Sequence, residues 1–286
     1  MNTTVNTNPL VSIVIPCYNG ELFVKKSIES ALEQTYKKIE LIIVNDGSKD
    51  KTYDEINSCK NESVTIINKP NTGVSDSRNI GMQHVTGEYI LFLDADDVLE
   101  PDFLEKRVEI LEKDKSLDFC TGEIIWIDEN DQLIKMPKKQ FGIYENTVLN
   151  VAAFNPVFST CPSAYLFRFS TIKKKHVLFN TKISSPADRY FILELGYGAK
   201  GDYVKQGGKL LYRINTHSMS HLFSKKLIFD QENYFYEVLK HNLLRPHEKA
   251  ILIKKMSYQM FASFFKLKMY KSSLFYLSKY LKSFFL

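Results

Sequence analysis

The sequence of 286 residues lacks several signals that identify common protein classes. Its four cysteines, Cys17, Cys59, Cys120 and Cys161, lie far apart and form no Cys-x-x-Cys pair. The sequence therefore indicates neither a zinc site nor a disulfide framework. No apolar run approaches the roughly 20 residues that a transmembrane helix needs. Residues 1–8 lack the basic start and apolar core of a secretory signal, so we expect a cytoplasmic protein.

Two familiar nucleotide-binding signatures are also missing. No Gly-x-Gly-x-x-Gly follows the first predicted strand, and no Gly-x-x-x-x-Gly-Lys-Ser/Thr occurs anywhere in the chain. If a nucleotide binds here, we expect a metal ion and an arginine to hold its phosphates instead of a glycine loop. Arg78, at the beginning of a predicted helix that follows a glycine-bearing loop, is the candidate. A surface ion pair is the alternative interpretation of Arg78.

Acidic residues are absent from the C-terminal segment. Residues 249–286 contain eight lysines and no Asp or Glu. Subtracting these eight charges from the net charge of +5 leaves −3 for the rest of the chain. The basic character therefore belongs to this segment, and we expect no nucleic-acid partner for the main domain.

Aromatic residues, leucines and lysines alternate along the same segment. On a helix beginning at Lys268, the side chains of Lys271, Lys279 and Lys282 would share one narrow polar face, opposite a wide apolar face. This composition fits an interfacial helix on an anionic membrane. The alternative is a helix that packs on the main domain and leaves a solvated lysine edge.

The most informative stretch of the chain is an apolar run that ends in carboxylates. Residues 89–93 are apolar and rich in aromatic and branched types, which predicts a strand buried on both faces. Asp94, Asp96 and Asp97 follow it at once. Ligands of open α/β sheets bind at the carboxyl ends of strands, and carboxylates two positions apart in an extended segment point to the same side. Asp94 and Asp96 therefore suit a divalent cation; a polar surface turn is the alternative.

Predicted strands begin near residues 11, 40, 64 and 89, with helices between them. This alternation predicts an α/β fold with a parallel sheet. Right-handed crossovers would place the strand ends at one edge, so the loop 16–19, Asp46 and residues 94–96 should converge. Residues 120–127 are predicted as one further strand and residues 209–214 as a late strand.

Four segments of the chain form a set of motifs. They are Pro16-Cys17-Tyr18-Asn19, Asn45-Asp46-Gly47-Ser48, Asn71-Thr72-Gly73 with Arg78-Asn79-Ile80-Gly81, and Leu93-Asp94-Ala95-Asp96-Asp97. These segments resemble the motifs of the family 2 glycosyltransferases, in the family's order and at its usual intervals. The resemblance covers roughly residues 9–220 and is strongest up to Asp102. It implies the GT-A fold, a mostly parallel central sheet flanked by helices, and inverting transfer of a hexosyl or N-acetylhexosaminyl group.

The resemblance also implies roles for individual residues. The loop 16–19 and Asp46 would hold the base and ribose of a nucleotide-sugar, and Arg78 would lie near its diphosphate. Mn²⁺ or Mg²⁺ would be bound by Asp94 and Asp96, with His217 completing the site. As an isolated loop histidine, His217 could equally be an ordinary surface residue. The residues implied to bind the nucleotide-sugar are Pro16, Tyr18, Asn19, Asp46, Asn71, Gly73, Arg78, Asp94, Ala95 and Asp96.

The catalytic base implied by the resemblance is Asp188. The segment 187–191 is similar to the family's Glu-Asp pair before an aromatic-bearing helix, but Ala187 stands where the family commonly has Glu. An acid in the first turn of a helix is also stabilised by the helix dipole. Asp188 would need no catalytic role in that alternative.

The expected organisation is a GT-A domain over residues 1–220 and a helical, basic and aromatic extension over residues 221–286. Within the domain, residues 9–118 would bind the nucleotide-sugar, and residues 119–220 would carry the acceptor site and the base.

The expected function is inverting transfer from a nucleotide-diphosphate sugar, with UDP favoured, to a hydroxyl of a glycan or lipid-linked acceptor in cell-surface polysaccharide synthesis. The protein would be cytoplasmic, with a peripheral position on the cytoplasmic face of the membrane as a further expectation. One alternative is a phosphatase of the haloacid dehalogenase type, because residues 94–98 also fit that family's strand end; there, however, the motif usually ends the first strand. Another is a non-catalytic subunit that binds nucleotide-sugars, suggested by Ala187.

Overall fold

The computed structural model of the chain describes residues 8–135, 159–214, 224–240 and 244–284. Up to residue 92, strands and helices alternate as the sequence predicts. The helices connect successive strands and pack on the sheet, and the apolar residues of all four strands belong to one core. The elements are β1 (Val11–Cys17), α1 (Val24–Leu32), β2 (Ile39–Asn45), α2 (Thr52–Ser58), β3 (Val64–Asn68), α3 (Val74–Gln83) and β4 (Tyr89–Phe92).

These first strands are all parallel. β1 lies between β2 and β4, and β3 pairs with the outer side of β2. The loops that follow β1, β2 and β4 therefore lie at the same edge of the sheet. The predicted parallel sheet and its shared edge are both confirmed.

The next part of the chain extends this sheet and builds a second one. β9 (Leu166–Arg168) pairs antiparallel with β4 and with β6 (Phe119–Thr121), and β10 (Gly201–Tyr203) pairs with β6. The described strands thus form a seven-stranded sheet in the order β10-β6-β9-β4-β1-β2-β3. The elements are β5 (Val98–Leu99), α4 (Phe103–Lys113), β6 (Phe119–Thr121), β7 (Ile124–Ile127), β8 (Leu133–Ile134), β9 (Leu166–Arg168), α5 (Phe169–Lys175), α6 (Ala187–Gly196), β10 (Gly201–Tyr203) and β11 (Leu210–Arg213).

The prediction of one strand over residues 120–127 is wrong. The chain turns near Gly122, so that β6 joins the large sheet and β7 joins a four-stranded sheet in the order β5-β11-β7-β8. A Cβ at Gly122 would lie 2.5 Å from Nη2 of the fully buried Arg107. Arg107 Nη1 in turn donates to the Gly208 carbonyl at 2.6 Å. The apolar pattern continues across the break, because it records burial and not which sheet a strand joins.

An aromatic cluster joins β4 to the segment that enters α6. The ring of Phe179 meets Phe92 edge-on at 4.9 Å and stacks on Phe191 at 4.0 Å. Such contacts add about 0.5–1.5 kcal/mol each beyond the area they bury. They hold the beginning of α6 close to the end of β4.

Three helices follow the sheets: α7 (Lys225–Lys240), α8 (Pro246–Lys266) and α9 (Tyr270–Lys282). The pair α8–α9 packs on α7, where the fully buried Tyr276 donates its hydroxyl to Glu232 at 2.5 Å. α7 contacts α6 through Tyr190 and Tyr234. α9 thus packs on α7 and α8, within the extension itself, and both interpretations of this segment stay predictions. None of the described helices combines the length and apolar character needed to cross a bilayer. The expected boundary at residues 220–221 falls outside the described residues and stays a prediction.

Candidate active site

The loops that follow β1 and β2 are bonded to each other. The Asn19 amide N donates to Ser48 Oγ at 3.1 Å, and the Lys49 amide N donates to Asn19 Oδ1 at 2.9 Å. Asn19 has a φ of 48°, in the left-handed region that asparagine tolerates better than most residues. Pro16 is buried, while the ring of Tyr18 is 46% exposed beside this loop pair. Two of the predicted nucleotide-binding loops thus form one wall of the candidate site.

The end of β4 lies against the same wall. An added Cβ at Gly20 would lie 3.9 Å from the Cβ of Ala95. The backbone of Asp94 is held on both sides: its carbonyl accepts from Ser27 Oγ at 3.0 Å, and its amide donates to Ser163 Oγ at 3.1 Å. Asp94 is therefore fixed at the sheet edge, where the sequence places it.

Asp46 lies at the end of β2 and organises the loop after β3. Its side chain is almost completely buried, and its two oxygens accept from the Thr72 and Gly73 amides at 2.8 Å each. Lys69, itself only 9% exposed, forms an ion pair with the same carboxylate. A carboxylate offers about four acceptor positions, and these partners use three of them.

The loop that Asp46 holds contains Asn71 and Gly73. Asn71 is exposed. Its backbone approaches Gly47 so closely that a Cβ added at Gly47 would lie 2.8 Å from the amide N of Asn71. The φ of 68° at Gly47 also favours glycine. Gly73 has a φ of 100° and precedes α3. Both residues therefore lie on the loop that leads into α3, the helix that carries Arg78.

Arg78 joins two carboxylates that are distant in sequence. Its Nη1 donates to Asp188 Oδ1 at 2.5 Å and its Nη2 to Asp94 Oδ1 at 2.6 Å. The guanidinium lies 4.9 Å from the ring centroid of Phe179. Burial alone would lower the pKa of Arg78, but the two carboxylates outweigh burial and raise it. The side chain of Arg78 is only 2% exposed. The alternative of an ion pair at the surface is therefore wrong, because the guanidinium is buried.

Asp188 is the second residue of α6, and Pro186 precedes that helix without a side-chain cap. It lies in the first turn, as the alternative expects, yet its carboxylate pairs with Arg78 of another helix. Partial burial raises the pKa of Asp188 to about 6; Arg78 opposes this rise and Asp94 adds to it. Ala187, where the family commonly has Glu, is fully buried.

The segment before Asp188 is anchored to the same helix as Arg78. Asn79 Nδ2 donates to the Phe179 carbonyl at 2.8 Å, and the Phe179 amide returns a bond to Asn79 Oδ1 at 2.9 Å. Neighbouring residues of α3 thus fix both the segment before α6 and the carboxylate of Asp188.

Two residues that sequence reasoning did not assign complete the turn after β4. Arg213 Nε donates to the Asp96 carbonyl at 2.9 Å, and the Arg213 amide donates to Asp97 Oδ1 at 3.1 Å. Asp97 is fully buried; this burial, followed by the charges of Asp96 and Asp94, raises its pKa well above the ordinary value. Asp97 therefore holds the end of β11 against the metal-binding candidates. Arg213 lies in the late strand predicted over residues 209–214, and that strand carried no site assignment.

The predicted metal ligands can be tested only in part. Asp94 and Asp96 are partly exposed at the sheet edge, and their oxygens are of the type that Mn²⁺ and Mg²⁺ prefer. Among the described residues, one ligand atom each of Asp94, Asp97 and Cys161 lie within 4.8 Å of one another. His217 lies outside the described residues. The predicted set of Asp94, Asp96 and His217 thus stays a prediction, with a donor chemistry that fits the ion.

The family is decided by the match of residues 12–174 to the model described as "Glycosyl transferase family 2". The chain is a family 2 glycosyltransferase. The matched residues include Asp46, Arg78, Asp94 and Asp96 and end before Asp188. The alternative of a haloacid dehalogenase-type phosphatase is therefore wrong.

This glycosyltransferase is similar to proteins of known name and structure. It is 33% identical over 244 residues to the hyaluronan synthase of Pasteurella multocida, covering 82% of the present chain and 23% of the synthase. It spans 57% of the length of two uncharacterised glycosyltransferases from Rickettsia species that it also matches.

Two solved structures show the GT-A fold of the chain. Residues 1–349 of S. aureus TarS, in complex with UDP-GlcNAc, superpose with a TM-score of 0.73 at 17% identity, covering 96% of this chain and 81% of that one. The mannosyltransferase PcManGT from Pyrobaculum calidifontis, in complex with GDP-Man and Mn²⁺, gives 0.63 at 17% identity, covering 97% and 85%. The predicted fold class is thereby confirmed.

Proposed function

We propose that the glycosyltransferase moves a sugar from a UDP-sugar to a hydroxyl of a glycan or lipid-linked acceptor, with inversion at the anomeric carbon. The observation that carries this proposal is the Arg78 bridge. It brings Asp94, from the Asp-x-Asp motif, and Asp188, the candidate base, into one cluster at the sheet edge. A donor site and a base are the two components that such a transfer needs.

On the donor side, the loop pair around Asn19 and Ser48 and the carboxylate of Asp46 would receive the base and ribose. Mn²⁺ or Mg²⁺ held by Asp94 and Asp96, together with His217, would supply positive charge to the departing diphosphate. Arg78 would keep Asp94 in place from inside the protein, since its guanidinium is buried behind that carboxylate.

On the acceptor side, Asp188 would take the proton from the attacking hydroxyl. A positioned base typically contributes about 10²–10⁴-fold to the rate. The pairing with Arg78 favours the ionised form of Asp188 and fixes its direction. Single displacement places attack and departure on opposite faces of the sugar, and inversion follows.

The preference for UDP and for a polysaccharide acceptor is supported by the relatives. TarS is seen with UDP-GlcNAc, and the Pasteurella relative is named as a hyaluronan synthase. PcManGT is seen with GDP-Man, so a GDP-sugar is the donor to compare. We further propose that residues 9–118 bind the donor and residues 119–220 carry the acceptor site and base. The enzyme would work on the cytoplasmic side, against the membrane.

A donor screen tests this function. UDP-, GDP- and dTDP-sugars are incubated with the full chain and Mn²⁺, Mg²⁺ or EDTA, and nucleotide release and nucleotide affinity are both measured. We expect UDP-sugars to bind most tightly with Mn²⁺ or Mg²⁺ present, and EDTA to abolish turnover. Nucleotide binding without turnover, in the presence of candidate glycan acceptors, would instead support the non-catalytic binding subunit.

The rate should depend on pH through Asp188. We expect kcat/KM to rise as the pH increases through about 6, because only the ionised carboxylate accepts a proton and the pKa of Asp188 is raised to about 6. Initial rates over a pH series would be measured together with donor affinity at each pH. A profile that stays flat down to about pH 5, as an ordinary aspartate would give, contradicts this prediction.

A further inference from the structure

The α8–α9 hairpin carries an outward face of aromatic rings that touch one another across both helices. Phe265 meets Tyr270 at the turn, and Tyr258 meets Tyr280 farther along, with centroids 5.8 and 5.4 Å apart. Further contacts along each helix make the row continuous. We call this row the aromatic face; its members are Tyr258, Phe261, Phe265, Tyr270, Tyr280 and Phe284.

Within this face, Phe261 packs partly against the core, and the other members lie outside it. Tyr258, Phe265, Tyr270 and Phe284 remain 54–58% exposed, although each is large and apolar. α8 already buries a separate stripe of residues 252, 256, 260 and 264, spaced four apart, as a helix on a soluble domain does. A second apolar stripe on the outer side marks an interaction surface.

The charge around the aromatic face identifies the kind of partner. Lys254 Nζ lies 3.8 Å from the ring centroid of Phe284, and Lys266, Lys268 and Lys271 are exposed around the hairpin turn. Residues 249–286 contain eight lysines and no Asp or Glu. The partner therefore carries negative charge beside an apolar layer.

We infer that the aromatic face docks onto an anionic lipid bilayer, with the rings at the interface and the lysines against the headgroups. Aromatic rings beside lysines are the composition of helices that lie on such surfaces. A symmetric contact with a second copy would bring like-charged lysines together without an acid in the segment to pair with them. The inference does not depend on the proposed transfer reaction, since lipid binding is measured without a donor.

Vesicle flotation with the full chain tests this surface. The vesicles are phosphatidylcholine alone, or equal parts of phosphatidylcholine and phosphatidylglycerol, each at low and high salt. We expect flotation with the anionic vesicles only, weakened by salt. Each lysine at the membrane should contribute roughly fivefold to the partition coefficient. Replacing Lys268 and Lys271, both exposed, by Gln should therefore reduce partitioning by about 25-fold.

The apolar contribution is tested with Phe265→Gln/Tyr270→Gln, whose side chains are more than half exposed and contribute little to folding. The matched control is Leu133→Gln/Leu178→Gln, which removes exposed apolar side chains from the main domain. We expect flotation to fall at least tenfold in the hairpin variant and to stay unchanged in the control, with nucleotide affinity equal in both. Equal flotation of both variants overturns the inference. The inference is also overturned if the wild-type chain does not float with the vesicles and instead elutes as a dimer, while the hairpin variant elutes as a monomer.

Discussion

Asp188→Asn is expected to lower the rate of sugar transfer by about 10²–10⁴-fold while nucleotide affinity stays within a few-fold of wild type. The amide keeps the size of the side chain and can still accept one hydrogen bond from Arg78. It cannot take a proton from an acceptor hydroxyl. The loss should therefore appear in kcat, since the side chains proposed to contact the donor, Asp46, Asp94 and Asp96, are unchanged.

Steady-state transfer and nucleotide titration of the same preparations measure this effect. Asp54→Asn, which changes an exposed aspartate of α2 in the same way, serves as the control and should retain the full rate. The anomeric configuration of the wild-type product, read by NMR, tests inversion independently. A full transfer rate in Asp188→Asn would remove this residue from the mechanism and leave the fold and donor site as described.

Much of the donor half was predictable because its signals are local. Each of the strands β1 to β4 is a short apolar run that ends at a loop, and parallel crossovers bring those ends to one edge. Asp46, Asp94 and the loop around Asn19 were therefore predicted to converge, and the structure shows that they do. The motif spacing added the family, which the comparison confirms.

The later half was harder to predict because its decisive contacts are between residues far apart in the chain. The chain turns near Gly122, where a side chain would collide with the buried Arg107 of α4. Asp97 was left without a role, since the amide that binds it belongs to Arg213 at the end of β11. Neither partner has a sequence pattern that points to the other.

The C-terminal helices show the same limit. The lysines of α9 were predicted to form one narrow face, but Lys279 turns inward, with Nζ 4.9 Å from the ring centroid of Tyr236 on α7. Periodicity within one helix cannot reveal which neighbour it packs against. The outward aromatic face became apparent only when both helices of the hairpin were placed together.

Arg78→Met is expected to lower the free energy of unfolding by about 3 kcal/mol and to impair transfer as well. Removing one partner of a buried ion pair leaves uncompensated charge, at a typical cost of about 3–5 kcal/mol. Here the low end applies, because the side chains of Asp94 and Asp188 are 25% and 30% exposed and water can reach them. Denaturant unfolding of wild type and variant measures the difference. Arg78→Lys, which keeps the charge and loses the two-pronged geometry, should recover part of it.

A double-mutant cycle separates the bridge from simple packing. If Arg78 stabilises the protein by holding two carboxylates together, Arg78→Met should cost at least about 1 kcal/mol less in the Asp188→Asn background than in wild type, because one of the two charges is then already gone. Equal costs in both backgrounds would mean that Arg78 stabilises the fold by filling space beside Phe179, from which its guanidinium lies 4.9 Å. Coupling in stability together with a lower kcat would instead show that one buried cation sets the positions of both the donor-side carboxylate and the base.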